Sequence, residues 1–291
     1  MAHTDLVTKI RNLDRLTPSE TLIADYIFQH YPEVAFENVT SISQKTGVSK
    51  ATVVRFIKRL GYDGYAHFHD TVRAEMMDEY ASPEQRFSLM KKNILDGDRD
   101  LLGQNISFIM KNLQQAHARI DRAAFERAAR MIADPDRHLY VIGQRTSYGL
   151  AYMLYTLLGY VRPRTTILEM QSAMLPDVLA DIGPEDMLFA ISFRRYARTT
   201  SRVARHFSER GAAVIALTDS EFSPLGGLSE LQLIVPSDGL AIFRSRCAAT
   251  ALLESLAIAA LQFCDSTTMG RSAKLETLFD HFEVYSPRTG R

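Results

Sequence analysis

The sequence predicts two domains: an all-α N-terminal domain, then an α/β C-terminal domain with a parallel sheet between layers of helices. Three observations carry this. Residues 1–78 place apolar side chains at helical spacing with little strand signal. Beyond Pro135, five short apolar runs (138–143, 164–169, 187–192, 212–219, 231–236) alternate with helix-like stretches, the pattern of a parallel sheet covered on both faces. The length of 291 residues suits about two domains of ordinary size.

The elements follow in order. Thr17 is placed to cap a helix with Pro18 at its first position and Glu20 in its first turn, and Leu22, Ile23, Tyr26 and Ile27 follow at helical spacing. Pro32 opens a short helical segment through Val34 and Phe36. Thr40 or Ser41 caps the next helix, which Gly47 stops; Ser49 caps another, which Gly61 ends; Tyr65 to Met77 form one more. The predicted boundaries are 1–78 for the first domain, 79–120 for a helical linker, 121–270 for the α/β domain and 271–291 for a C-terminal helix and tail. In the linker, Leu101, Leu102, Ile106, Ile109, Met110 and Leu113 form an apolar stripe fit to pack on a neighbour. A long apolar helix near 244–264 closes the α/β domain.

Bulk chemistry narrows the function. With 34 basic and 34 acidic residues the net charge is zero, so any surface for nucleic acid must be local. Cys247 and Cys264 fit no metal or disulfide framework and read as buried reduced thiols. Eight histidines without paired-ligand spacing predict no metal, and nothing calls for a cofactor. The N-terminus lacks the apolar core of a secretory signal, and the apolar stretch 248–264 is short and broken by Glu254. A cytoplasmic protein with no membrane partner is expected.

The informative segment is 39–68. Two short helices around a Gly47–Val48 turn have helix-turn-helix spacing. On the second helix Val53, Phe56, Ile57 and Leu60 form a core stripe, while Lys50, Thr52, Arg55, Lys58 and Arg59 share the opposite face. Between Asn38 and Tyr62 the five cations Lys45, Lys50, Arg55, Lys58 and Arg59 meet no acid. A lone basic helix is usually just a solvated face; the preceding helix, the glycine turn and the missing acids favour DNA. Ser49, Lys50 and Thr52 then stand at the end that meets base edges, Arg55 reaches a guanine edge or a phosphate, and Lys58 and Arg59 contact phosphates.

Gly47, Val48, Ser49, Ala51, Thr52, Val53, Arg55, Phe56, Leu60, Gly61, Tyr62, Gly64 and Tyr65 match a motif by which this segment resembles the helix-turn-helix of the RpiR/MurR family of bacterial regulators. The resemblance implies a sugar isomerase (SIS) domain in the second half. One recognition helix reads only a few base pairs, so a homodimer or homotetramer on double-stranded, palindromic operator DNA is expected, controlling catabolic genes.

Two strand-to-helix junctions of the α/β half read as ligand loops, because ligands of open parallel sheets sit beyond the carboxyl ends of the strands. The first holds Gly143, Gln144, Arg145, Thr146 and Ser147; the second holds Ser192, Arg194, Arg195, Arg198, Thr199 and Thr200. Ser147 and Thr199 or Thr200 are candidates to cap the following helices or to bond a ligand. Compared with the phosphosugar loops of SIS domains, Arg145 replaces the second glycine of the first loop, and Arg194, Arg195 and Ala197 replace serine, glycine and a hydroxyl residue in the second. Arginines at such a place need acids, water or a bound anion. Glu169 and Asp219 are the local acids that would pair with them in a purely structural arrangement. The functional reading is a site for a small anionic effector: a sugar phosphate or sugar acid first, a carboxylate without phosphate second. The competing class is a sugar-phosphate isomerase. It would need a placed general base. Glu169, His206 and Glu254 are present, but no motif ties them to the loops, and the basic helix-turn-helix would go unexplained.

Overall fold

The computed structural model describes the chain apart from residues 1–5, 7, 8, 11, 12, 14, 31–33, 35, 36, 81–99, 170–173, 222, 240–242, 265 and 286–291, and apart from the side chains of 29, 73–80 and 266–269. The chain forms two compact units, Met1–Arg99 and Asp100–Arg291. The predicted linker therefore divides: 81–99 lie outside the described residues, while the stretch from Asp100 belongs to the second unit. The short helix expected from Pro32 to Phe36 also falls largely outside the described residues.

The first unit is helical. Helix α1 (Pro18–His30) begins with a reciprocal cap: the Thr17 amide donates to Glu20 Oε2 at 2.8 Å, and the Glu20 amide donates to Thr17 Oγ1 at 3.4 Å. Helix α2 (Val39–Thr46) is capped by Asn38, not by Thr40 or Ser41. Asn38 keeps an extended backbone, and its Oδ1 accepts from the Ser41 amide at 2.9 Å, which satisfies an otherwise orphaned donor. Gly47, at φ 70°, turns the chain into helix α3 (Lys50–Arg59), and helix α4 (Tyr65–Tyr80) follows. Ile23, Ile27, Ile42, Val53, Phe56, Ile57, Leu60, Phe68 and Val72 are buried together as the core of these helices.

In the second unit, helices α5 (Leu101–Arg119) and α6 (Arg122–Ala133) precede strand β1 (His138–Gly143). Helix α7 (Thr146–Val161), strand β2 (Thr165–Ile167), the one-turn helix α8 (Leu175–Leu179), strand β3 (Asp186–Ile191), helix α9 (Arg198–Glu209), strand β4 (Ala213–Thr218) and strand β5 (Leu231–Ile234) come next. Helices α10 (Cys247–Leu261) and α11 (Ser266–His281) end the fold. The sheet is wholly parallel, in the order β2-β1-β3-β4-β5.

Strand periodicity builds the three layers. Leu139 and Val141 face a core shared with α6, α7 and α10, while Tyr140 and Ile142 face one shared with Val203, Ala204 and Phe207 of α9. Strands β3 and β4 are buried throughout, as a sheet covered on both faces requires. Helix α10 is apolar nearly all round and packs on α5, α6 and α7. Leu101, Leu102, Ile106, Met110 and Leu113 of α5 are exposed, so this stripe is not buried among the described residues. The cysteines correct an expectation: Cys247 is exposed at the start of α10 and Cys264 is half-buried just beyond its end, both free. Cys247 precedes the buried side of α10, whereas Cys264 packs against the edge of the core that α10 faces.

Candidate functional site

The sheet order fixes where a ligand crevice lies. Chain connections leave β1 toward β2 on one side and β3 toward β4 on the other, so the order reverses between β1 and β3. Gly143 pairs in register with Ile191 there, which sets the two predicted loops side by side. Gly143 is required at that point: a Cβ on it would lie 2.3 Å from the Ser147 carbonyl oxygen. Arg145 has φ 53° and ψ −122°, and Arg195 has φ 63°. Both occupy left-handed conformations that favour glycine. They are the two positions where arginine replaces a glycine of the phosphosugar-type loops, so the backbone turn survives although the side chain is arginine.

The caps differ from expectation. Neither Ser147 nor Thr199 nor Thr200 caps its helix: the cap positions are Arg145 and Ala197, and neither gives a side-chain bond. Ser147 lies inside α7, buried, with its amide bonded to the Gln144 carbonyl at 3.0 Å. Ser192 Oγ accepts from the Ala197 amide at 3.4 Å. Thr200 is fully buried, and its Oγ1 has no hydrogen-bond partner. The start of α9 thus lacks a side-chain cap, and the buried Thr200 hydroxyl within its first turn has no hydrogen-bond partner. Arg145, Thr146, Arg195 and Arg198 are exposed, while Gln144 and Thr199 are partly buried.

Arg194 turns inward, with its side chain 11% exposed. Its Nε stands 3.9 Å from Oδ2 of Asp219, an acid only 3% exposed, so the structural pairing considered for Asp219 exists in this long form. Asp219 is already occupied. Its Oδ2 accepts from Ser237 Oγ at 2.8 Å and from the Arg194 amide at 3.3 Å, and its Oδ1 accepts from the Tyr196 hydroxyl at 3.0 Å. Glu169 instead accepts from the Tyr148 hydroxyl at 3.4 Å. Arg246, at the start of α10, lies over the Phe193 ring at 4.3 Å. Burial pulls its pKa below the ordinary value; nearby Asp219 pushes it up and Arg244 pushes it down. Tyr196, Ser237 and Arg246 were not singled out from sequence. The one available signal for Arg246 was a basic pair directly ahead of an apolar helix.

Two cavities, of about 320 and 430 Å³, open at the other edge of the sheet, beside Pro184 and Gly211 and beside Arg162 and Cys264. The second is lined by a satisfied cation. Arg162, buried, donates to the carbonyls of Ile132, Arg137 and Pro163, and burial lowers its pKa to about 10. It needs no ligand. His206, proposed above as an alternative base, has Nε2 3.0 Å from the Leu179 carbonyl. Among the described residues there is no group of acids, histidines and cysteines fit for a metal, and no helix is long and apolar enough to cross a membrane.

In the first unit, Ser49 caps α3, its Oγ accepting from the Thr52 amide at 3.3 Å. Val53, Phe56, Ile57 and Leu60 are buried, and Lys50, Arg55 and Lys58 are exposed on the other side. Arg55 Nη2 donates to Thr52 Oγ1 at 3.2 Å, which holds the guanidinium along the exposed face of α3. Two of the five candidate cations are already in salt bridges. Arg59 donates to Glu20 at 2.7 Å and to the Arg15 carbonyl at 2.8 Å; Lys45 donates to Glu37 at 2.7 Å. Burial pushes both carboxyls up, but the Thr17 and Arg59 donors hold Glu20, and the Lys45, Tyr26 and Ser41 donors hold Glu37, below the ordinary value.

A helix-turn-helix of this form followed by a parallel α/β domain defines a DNA-binding transcription regulator with a separate C-terminal domain. Residues 4–81 match the rpiR-family helix-turn-helix domain, and residues 131–259 match the SIS domain. The chain belongs to the RpiR family of transcriptional regulators. It is 22% identical over 227 residues to an uncharacterised HTH-type transcriptional regulator of Clostridium perfringens, covering 77% of this chain and 78% of that one. A Bacillus subtilis relative of the same description is 22% identical over 249 residues, 82% of each chain. Among solved structures, the sugar isomerase domain of an RpiR transcription factor from Sphaerobacter thermophilus superposes with a TM-score of 0.57 at 26% identity, over 63% of this chain and 99% of that one. The Vibrio vulnificus NanR protein complexed with ManNAc-6P superposes with a TM-score of 0.55 at 19% identity, over 95% and 98%, which supports the shared fold.

Proposed function

We propose that this regulator binds operator DNA through α3 and changes its DNA affinity when a small anionic metabolite, a sugar phosphate or sugar acid, occupies the crevice between β1 and β3. The observation that carries the sensing half is the start of α9: a helix N-terminus without a side-chain cap beside the buried, unsatisfied Thr200 hydroxyl. Gly143, Gln144, Arg145, Thr146, Ser147, Ser192, Arg194, Arg195, Thr199 and Thr200 form the effector site in this reading. Lys45, Ser49, Lys50, Thr52, Arg55, Lys58 and Arg59 form the DNA surface, with Lys50, Arg55 and Lys58 the cations not already in a salt bridge.

A second copy is the natural occupant of the exposed α5 stripe, and a dimer gives a palindromic operator two reading helices. An effector that prefers one arrangement of that dimer shifts DNA affinity by no more than its own preference between arrangements. The regulated genes are catabolic in this reading, and the SIS domain senses rather than isomerises. Operator fragments selected from genomic DNA, followed by fluorescence anisotropy with and without phosphosugars and sugar acids, test the whole proposal. An effector-dependent change in affinity that is lost in T200V supports it. Tight operator binding indifferent to every anion removes the sensing half, and turnover of a sugar phosphate by the purified chain restores the isomerase.

A further inference from the structure

Helix α5 inverts the usual rule of burial. Its apolar residues Leu101, Leu102, Ile106, Met110 and Leu113 are exposed, and the one residue it buries is an amide, Asn112. Asn112 Nδ2 donates to the Asp238 carbonyl at 2.6 Å, across 126 residues of sequence. Its Oδ1 is shielded from water and has no hydrogen-bond partner. A buried polar group is tolerated where it is bonded, so this amide fixes where α5 can lie. A slide or a turn of the helix breaks the Asp238 bond and leaves the whole amide unsatisfied. A single buried asparagine sets the register of packed helices on the same ground.

The far end of that bond leads to the crevice. Ser237, next to Asp238, donates its hydroxyl to Asp219 Oδ2 at 2.8 Å. Asp219 also accepts from the Arg194 amide at 3.3 Å and from the Tyr196 hydroxyl at 3.0 Å, both in the second loop. The side chains of Asp219 and Ser237 are buried. One run of bonds and a single peptide step thus joins the second loop, the end of β4, the segment after β5 and α5. An anion held at the second loop meets the Asp219 carboxylate as a like charge and competes with it for these two donors. Resting on the reading of the crevice as the effector site, we propose that Asn112 is a positioning residue that makes α5 follow the second loop. Binding that shifts Asp219 shifts Ser237 and Asp238, and α5 moves with them, carrying its exposed apolar stripe.

Hydrogen–deuterium exchange of the full chain tests this without a ligand. Y196F deletes one donor to Asp219 and is expected to speed exchange of the α5 amides about threefold or more. Helix α6, which packs on α10 as α5 does, is expected to keep its rate. In N112L, which lacks the amide, Y196F is expected to change α5 no further; N112S makes the same comparison if the leucine variant does not fold. A purely structural role for Tyr196 would loosen α5 and α6 together, and that outcome overturns the proposal. So does α5 exchange indifferent to Y196F, or a Y196F effect that persists in full without the amide. Operator anisotropy with phosphosugars and sugar acids separates this link from the sensory reading. If Y196F reaches α5 only through Asn112 but none of those anions alters operator affinity, the link stands and the sensory reading falls. If they alter it equally in the native and N112L chains, the sensory reading stands and the link falls.

Discussion

Replacing Arg145 by glycine is expected to stabilise the C-terminal unit. Its φ of 53° and ψ of −122° place it where glycine is at home and a Cβ is strained. Such strain costs about 1–3 kcal/mol. Glycine gives back about 0.4–1 kcal/mol through the greater freedom of the unfolded chain. The difference is a net gain of about 1 kcal/mol. For a unit the size of Asp100–Arg291 that is a rise of about 2–4 °C in melting temperature. The Arg145 side chain is exposed, so its loss sacrifices little packing. Scanning calorimetry on the full chain measures the shift, with R145A as control, since alanine keeps the Cβ and hence the strain. A melting temperature that is unchanged or lowered in R145G, or raised equally in R145A, refutes the claim that this loop holds a glycine turn under an arginine side chain.

Three further outcomes concern the first unit. R55A is expected to weaken operator binding by about 1–3 kcal/mol if its guanidinium makes a bidentate base contact; unchanged anisotropy titrations of a folded mutant remove it from the reading face. K58A is expected to flatten the log–log salt dependence of DNA binding by about 0.9, whereas R59A, its charge already tied to Glu20, changes the slope less; equal slopes would show that the Glu20 pair opens on DNA. E20Q is expected to blunt acid unfolding. Because the folded Glu20 pKa is depressed, its stabilisation is full above the ordinary carboxylate pKa and is lost as pH falls through the lower folded value. Identical melting curves for native and E20Q chains on the acid side would contradict this.

The sequence announced elements better than partners. Strand positions were legible because β3 and β4 are covered on both faces and read as unbroken apolar runs. The core stripe of α3 was legible because Val53, Phe56, Ile57 and Leu60 repeat at helical spacing. Contacts across long separations were not. Arg59 looked free because no acid lies between Asn38 and Tyr62, yet Glu20, 39 residues away, reaches it. Asn38 out-competed Thr40 and Ser41 as a cap because capping depends on where the backbone leaves extended geometry, which composition does not fix. The two loops were found from strand-end position and arginine content. Arg246 and Ser237 were missed because each lies far along the chain, and only the fold carries them to Asp219.

The pH dependence of effector action distinguishes the anion chemistries that this edge can accept. Loop residues 143–147 and 192–200 contain no histidine, and their cations are all arginines, which stay protonated across the physiological range. The ligand itself is then the natural source of any titration near neutrality. A phosphate monoester loses its second proton near pH 6, whereas a carboxylate is fully ionised well below that. An effector held by its phosphate at the start of α9 should therefore act more strongly as pH rises from about 5.5 to 8. One held at the same loops by a carboxylate alone should act equally across that window. Anisotropy titrations of the operator complex against gluconate and against glucose 6-phosphate give the two profiles directly. A gluconate effect that rises steeply with pH would mean that a protein group outside these loops titrates on binding, and the edge would then not be the arginine-only surface argued for here.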